Sequence, residues 1–128
     1  MLASLMKALV VLVFLLVSRA ASAEELTGIW RGIMMTPWGQ AMNIEVIFMP
    51  NAHYTSAASM NELMTRHWGH YSVGQNWIHF DLQGWNPTEY CVPAGCTRLA
   101  WPQSETWSIV YFDGQILRTP NGELHRAQ

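Results

Sequence analysis

The sequence is 128 residues long, with 7 lysine and arginine residues against 9 aspartate and glutamate residues. This length is typical of one domain preceded by an export signal. The lack of a basic excess argues against a nucleic-acid-binding surface, because such a surface needs cationic side chains that displace counterions from phosphate. Seven tryptophans supply large apolar side chains with which a small domain can close a core.

The first 23 residues have the three parts of a secretory signal peptide. Lys7 carries the positive charge, an apolar run extends from Ala8 to Val17, and small residues at 21–23 form a cleavage site. The run is about half of the roughly 20 apolar residues that a membrane-spanning helix needs. We therefore predict cleavage after Ala23, one mature domain over residues 24–128, no stable membrane anchor, and a periplasmic or secreted protein.

Apolar and polar residues alternate with a period of two through the mature part, as is typical of half-buried antiparallel strands. The clearest stretch is 41–49, and Trp77–Leu82 repeats the pattern. The side chains predicted to point inward there are Met42, Ile44, Val46, Phe48, Ile78, Phe80 and Leu82. Further strands are predicted over Leu26–Met35, His53–Ala58, Thr65–Val73, Glu105–Phe112, Gln115–Thr119 and Glu123–Arg126, with a shorter one over Leu99–Trp101.

Turn residues separate these strands. Met60–Met64 is interpreted as a loop or one helical turn, and Gln83–Arg98 as a long irregular rim loop. Asp113-Gly114 and Asn121-Gly122 are two-residue hairpin signals. The pattern predicts an all-β domain of about eight short antiparallel strands, arranged as an up-and-down barrel or as a small sandwich. We favour the barrel, because closure removes exposed strand edges.

Both cysteines lie in one short segment, Cys91-Val92-Pro93-Ala94-Gly95-Cys96. An oxidising compartment favours a disulfide between them, and Pro93 and Gly95 favour a turn that brings their α-carbons together. This bond would hold the 83–98 loop in one shape. A redox pair or metal ligands are the alternative, but the spacing is not C-x-x-C and the sequence has no second cysteine pair.

The opening of the first strand, Leu26-Thr27-Gly28-Ile29-Trp30, together with Arg126 in the last strand, resembles the lipocalin-like (calycin) barrels. The opening also looks like that of avidin-type barrels. The resemblance implies that Trp30 plugs the closed end of the barrel and that Arg126 lies across its indole. A guanidinium can stack on an indole while its donors reach nearby carbonyl groups, and Gly28 allows a close backbone approach.

A binding cavity at the mouth of the barrel is the leading functional interpretation. It predicts a small apolar or aromatic ligand, bound without catalysis and without a cofactor or metal. Glu105 and Arg118 would orient this ligand if they point inward, and each aromatic residue has ordinary core packing as its alternative role. The aromatic residues predicted to line the cavity are Trp68, Tyr71, Trp77, Trp85, Trp101 and Trp107.

The alternative is an interaction or inhibitor module, in which exposed indoles and the disulfide loop contact a protein, an envelope component or a glycan. An enclosed pocket favours a small ligand, whereas an exposed aromatic surface favours the module. An enzyme is a weaker interpretation, because we find no Gly-x-Ser-x-Gly turn and expect the cysteines to be paired. His67, His79 and Asp81 could form a metal cluster across strands, whereas His67 and His70 should lie on opposite faces of one strand.

Overall fold

A computed structural model describes residues 18–127, so the charged and apolar parts of the predicted signal peptide lie outside the described residues. One helical turn, α1 (Ala23–Leu26), precedes eleven short strands, and the all-β prediction is confirmed. No described helix is long and apolar enough to cross a membrane. The strands are β1 (Gly28–Met35), β2 (Ala41–Phe48), β3 (His53–Met60), β4 (Leu63–Val73), β5 (Trp77–Asn86), β6 (Glu89–Val92), β7 (Gly95–Arg98), β8 (Ser104–Ser108), β9 (Tyr111–Phe112), β10 (Ile116–Thr119) and β11 (Gly122–Arg126).

Nine of these strands form one antiparallel sheet, in the order β8-β5-β4-β3-β2-β1-β11-β10-β9, which curls into a half-barrel. The edge strands β8 and β9 follow each other in the chain and are joined only by Ile109 and Val110. Ile109 N–H donates to the carbonyl of Asn76 at 2.8 Å, and Val110 N–H donates to that of Arg118 at 2.9 Å. The connection is therefore tied to both sides of the opening between the sheet edges.

One predicted loop and one predicted strand are organised differently in the structure. A two-residue turn, Asn61-Glu62, joins β3 to β4 where a longer loop over Met60–Met64 was expected. Asn61 takes a left-handed φ of 56°, which asparagine tolerates in tight turns. The predicted strand Glu105–Phe112 is divided into β8 and β9, because the chain leaves β5 there and crosses to β10.

The predicted rim loop Gln83–Arg98 is more regular than the sequence suggested. β5 extends to Asn86, and β6 and β7 pair with each other as an exposed hairpin. The predicted disulfide between Cys91 and Cys96 is confirmed and closes this hairpin. Leu99–Trp101 forms no strand, so the prediction of a short strand there is wrong.

The predicted alternation places the core correctly. Phe80 is at its centre, with its ring centroid 4.8 Å from that of Tyr54, 4.6 Å from that of Trp107 and 6.1 Å from that of Phe48. Leu82 of β5 is half-buried at one end of the core, and Met42 of β2 packs against the core. The other inward residues of β2 and β5, all buried, are Ile44, Val46, Phe48 and Ile78.

Arg126 lies across the indole of Trp30, as the lipocalin resemblance implies. The two residues are directly opposite each other on β11 and β1, Trp30 is fully buried, and the guanidinium carbon lies 4.5 Å from the ring centroid. The guanidinium also holds together three parts of the backbone. Its nitrogens donate to the carbonyl oxygens of Glu25, Thr27 and Gly114.

Residues 18–22, at the end of the predicted signal peptide, contact the edge strand β9. Arg19 N–H donates to the carbonyl of Phe112 at 2.8 Å, and Ala21 is buried. Cleavage after Ala23, which stays a prediction, would remove these contacts. It would leave the Arg126 contacts in place, because all three carbonyl acceptors follow the cleavage site.

Replacing Arg126 by alanine is expected to lower the free energy of unfolding by about 2–4 kcal/mol, since it removes a stacked cation and leaves three carbonyl groups without these donors. Urea unfolding followed by tryptophan fluorescence measures the change. Arg118→Ala is the matched control, because Arg118 is exposed and forms a surface ion pair with Glu123, and such pairs contribute little. Equal losses in the two variants would contradict the role of the stacking.

Candidate functional site

The eight residues predicted to line a cavity do not meet in one place. Tyr71 and Trp107 are buried in the core. Trp68, Trp77 and Arg118 are exposed on the outside of the sheet. Trp85, Trp101 and Glu105 lie at or beside one end of the interior.

A small pocket, here called the end pocket, lies at one end of the interior. Its free volume is about 10 Å³, which is about the space that one water molecule needs. Trp101 and Pro102 belong to the irregular segment before β8, so this part of the wall is not built from a strand. The lining residues are Tyr54, His67, Phe80, Leu82, Trp101, Pro102 and Glu105.

Polar groups converge at this end of the interior. Tyr54 Oη lies 3.3 Å from Nδ1 of His67, whose ring centroid is 5.2 Å from that of Trp101. Within the described part of the chain, two buried side-chain polar atoms have no hydrogen-bond partner: Nε1 of Trp101 and Oγ of Ser56, which is opposite His67 in the sheet. No motif in the sequence marks Tyr54 and Ser56 as site residues, although the alternation over His53–Ala58 places both on one face.

Burial keeps Tyr54 and His67 of the end pocket neutral near pH 7. Burial, with the negative charges of Glu105 and Asp81, raises the pKa of Tyr54 to about 12. Burial also lowers the pKa of His67 below its usual value of 6.5. Near pH 7 a protonated phenol therefore faces an uncharged imidazole, and the phenol donates to Nδ1 when the imidazole proton is on Nε2.

The lowered pKa of His67 predicts that stability falls on mild acidification. The unfolded chain takes up a proton at this residue near pH 6.5, whereas the folded chain resists it until a lower pH. The free energy of unfolding should therefore be highest above pH 6.5. It should decrease as the pH falls from 6.5 through the pKa of His67 in the folded protein. Urea unfolding at a series of pH values measures this slope.

His67→Asn should remove the slope just below pH 6.5, because asparagine does not titrate. His125→Asn is the control, since His125 is exposed on β11 beside Glu123, and it should retain the slope. A wild-type slope in His67→Asn would contradict the assignment.

One extra residue in β5 changes which side chains share a face. Trp68 is opposite Gly84 and Gly69 is opposite Leu82, so Gln83 forms a bulge. Beyond the bulge, Trp85 is half-buried and its Nε1 donates to the carbonyl of Leu99 at 3.0 Å. Gly84 meanwhile comes to lie beneath the indole of Trp68.

Two half-exposed indoles lie against glycines on the outer face of β4 and β5, here called the indole face. Trp68 is 41% exposed and Trp77 is 42% exposed. A β-carbon added to Gly84 would lie 2.6 Å from Cζ2 of Trp68, and one added to Gly74 would lie 2.0 Å from Cε2 of Trp77. The missing side chains therefore allow each indole to lie close against the backbone, with part of the ring open to solvent.

Polar side chains occupy the indole face between the two tryptophans. Nδ1 of His79 lies 2.7 Å from Oγ1 of Thr106, and its Nε2 lies 3.2 Å from Oδ1 of Asp81. Nδ1 of His70 lies 3.0 Å from the amide nitrogen of Gln83. Trp77 is one position beyond the Val73–Ile78 pair, so the two tryptophans are about six residues apart along the strands, or roughly 20 Å at the usual rise of a strand. Hydrogen bonds between strands thus hold a line of donors and acceptors between the indoles.

The metal cluster of His67, His79 and Asp81, which the sequence allowed as a weaker alternative, does not form. His67 points into the end pocket, whereas His79 and Asp81 bond to each other on the outer face. His79 is opposite Ser72 of β4, which is five positions from His67, and residues of one strand separated by an odd number of positions face opposite sides. The Glu89 carboxylate lies beside the sulfurs of Cys91 and Cys96, but these sulfurs are bonded to each other and offer no thiolate to a metal.

Comparison with known proteins identifies no relative: no protein-family model, no curated protein and no solved structure matches this chain.

Proposed function

We propose that this protein is an exported, non-catalytic glycan-binding protein that recognises an oligosaccharide on the indole face. The observation that carries the proposal is the pair of half-exposed indoles, Trp68 and Trp77. Each indole lies against a glycine, and the two indoles are at opposite ends of the row of polar side chains. A sugar ring presents C–H groups on one face, which suit the negative face of an indole. Its hydroxyl groups need the alternating donors and acceptors that lie between.

The small size of the end pocket also favours the indole face as the binding site. A pocket with space for about one water molecule has no space for a ring-sized ligand beside its present lining. The indole face is open and needs no displacement of core residues. Its side chains are already ordered by cross-strand hydrogen bonds, which lowers the entropy that binding must remove.

Export and a lipocalin-like relationship are part of the same proposal. The N-terminal pattern and the disulfide between Cys91 and Cys96 support a periplasmic or secreted location. The stacking of Arg126 on Trp30 in a curled antiparallel sheet supports the relationship to lipocalin-like barrels.

Trp68→Ala and Trp77→Ala are each expected to weaken oligosaccharide binding about tenfold, because central tryptophans dominate binding surfaces. The probes are soluble cello-, xylo- and chito-oligosaccharides and peptidoglycan fragments, titrated by calorimetry into EDTA-treated protein. Gly84→Ala should weaken binding in the same way, since the new methyl group displaces the indole of Trp68 from its position.

Trp38→Ala is the matched control for these variants. Trp38 is 69% exposed but lies on the turn between β1 and β2, away from the indole face. The proposal is overturned if none of the probes binds, or if Trp38→Ala weakens binding as much as Trp68→Ala.

A second candidate function, the binding of a small aromatic ligand in the end pocket, is favoured by the unpartnered Nε1 of Trp101. Such a ligand would take the place of the Trp101 ring against His67. This function predicts that tryptophan fluorescence responds to a panel of small aromatic ligands.

For the end pocket, Glu105→Gln should change ligand affinity by about tenfold, because the carboxylate lines the pocket, and Trp68→Ala should not change it. Circular dichroism checks that both variants fold. Absence of any response from the wild-type protein, or an affinity that follows Trp68 instead of Glu105, would exclude this function.

A further inference from the structure

Two histidines on the outer face of β3 and β4 contact each other in a way that the proposed glycan site does not explain. His53 on β3 and His70 on β4 are directly opposite in the sheet. Their ring centroids lie 4.2 Å apart, and the ring planes differ by 43°. His53 takes no part in the hydrogen bonds that hold His70 and His79 in place. Two imidazoles this close can direct one nitrogen each toward a common point between them.

A carboxylate continues the same row on the next strand. Asp81 on β5 is directly opposite His70, and directly opposite residues have β-carbons about 4.5–5.5 Å apart. The Asp81 side chain is 65% exposed and bonds to Nε2 of His79 through Oδ1 alone. The ligand atoms of His53, His70 and Asp81 do not all lie within 4.8 Å of one another in the structure, so the site requires a rotation of the Asp81 carboxylate toward His70.

Gln83 provides the outer support that a histidine ligand usually has. Its amide group lies 3.0 Å from Nδ1 of His70, and a 180° flip of the amide exchanges its nitrogen for its oxygen. When the Gln83 oxygen points toward His70, Nδ1 of His70 carries the proton, and Nε2 of His70 keeps a free electron pair for a metal. A hydrogen bond of this kind fixes the tautomer and the ring orientation of metal-bound histidines.

We infer that His53 and His70, with Asp81 as a third ligand, form a site for a divalent transition metal on the outer face of the sheet. Imidazole nitrogen with carboxylate oxygen suits Zn²⁺ and Cu²⁺. Three protein ligands leave a coordination position open to water or to a hydroxyl group of a bound molecule. The inference does not rest on glycan recognition, because the ligands are defined by the register of β3, β4 and β5 alone.

The test is titration of the metal-depleted mature protein with Cu²⁺ and, separately, with Zn²⁺. Calorimetry should report one ion per chain, and electron paramagnetic resonance of the Cu²⁺ form should show two nitrogen ligands. His53→Ala and His70→Ala should each lower the affinity by about tenfold or more. Asp81→Asn should lower it less, because an amide oxygen remains.

His125→Ala is the control, since His125 lies beside Glu123 on β11, away from β3 and β4 in the sheet, and it should bind metal as the wild type does. His53 and His70 are only half-buried, and circular dichroism checks that the variants fold. The inference is overturned if His53→Ala and His70→Ala retain wild-type affinity, or if affinity falls only in His125→Ala. Because the glycan titrations are made in EDTA, failure of one proposal leaves the other intact.

Discussion

The stacking of Arg126 on Trp30 joins the first strand of the sheet, β1, to the last strand, β11, and the curled sheet depends on this contact. β1 and β11 are neighbours in the middle of the sheet, so the half-barrel contains a seam between the two most distant strands of the chain. Such a long-range pairing costs much loop entropy. The guanidinium compensates by covering a buried indole and by donating to carbonyls on both sides of the seam.

The bulge at Gln83 couples the interior of the domain to its outer surface. On the inside it lets Trp85 follow Phe80 on the inward face, even though their positions in the sequence predict opposite sides. On the outside it places Gly84 beneath Trp68. The open indole and the packing of the interior are thus two consequences of one inserted residue, as bulges near functional surfaces often re-aim side chains.

The two faces of the sheet offer different chemistry to a ligand. At the end pocket, burial leaves Tyr54 and His67 uncharged near pH 7, and the space is filled by the protein itself. On the outer face, His70 and His79 are held by neighbours on adjacent strands and remain accessible. The outer face therefore presents ordered polar side chains to solvent, whereas the interior is occupied by core side chains.

The sequence by itself determined the all-β class, the inward faces of β2 and β5 and the disulfide between Cys91 and Cys96. These features are local, because strand alternation and cysteine spacing can be read within a few residues. The predicted cavity lining was not local, since it required knowing the face of each tryptophan. The tertiary structure alone decided that Trp85 turns inward and that His53 meets His70, because one bulged residue or a one-residue change of register reverses the direction of every side chain beyond it.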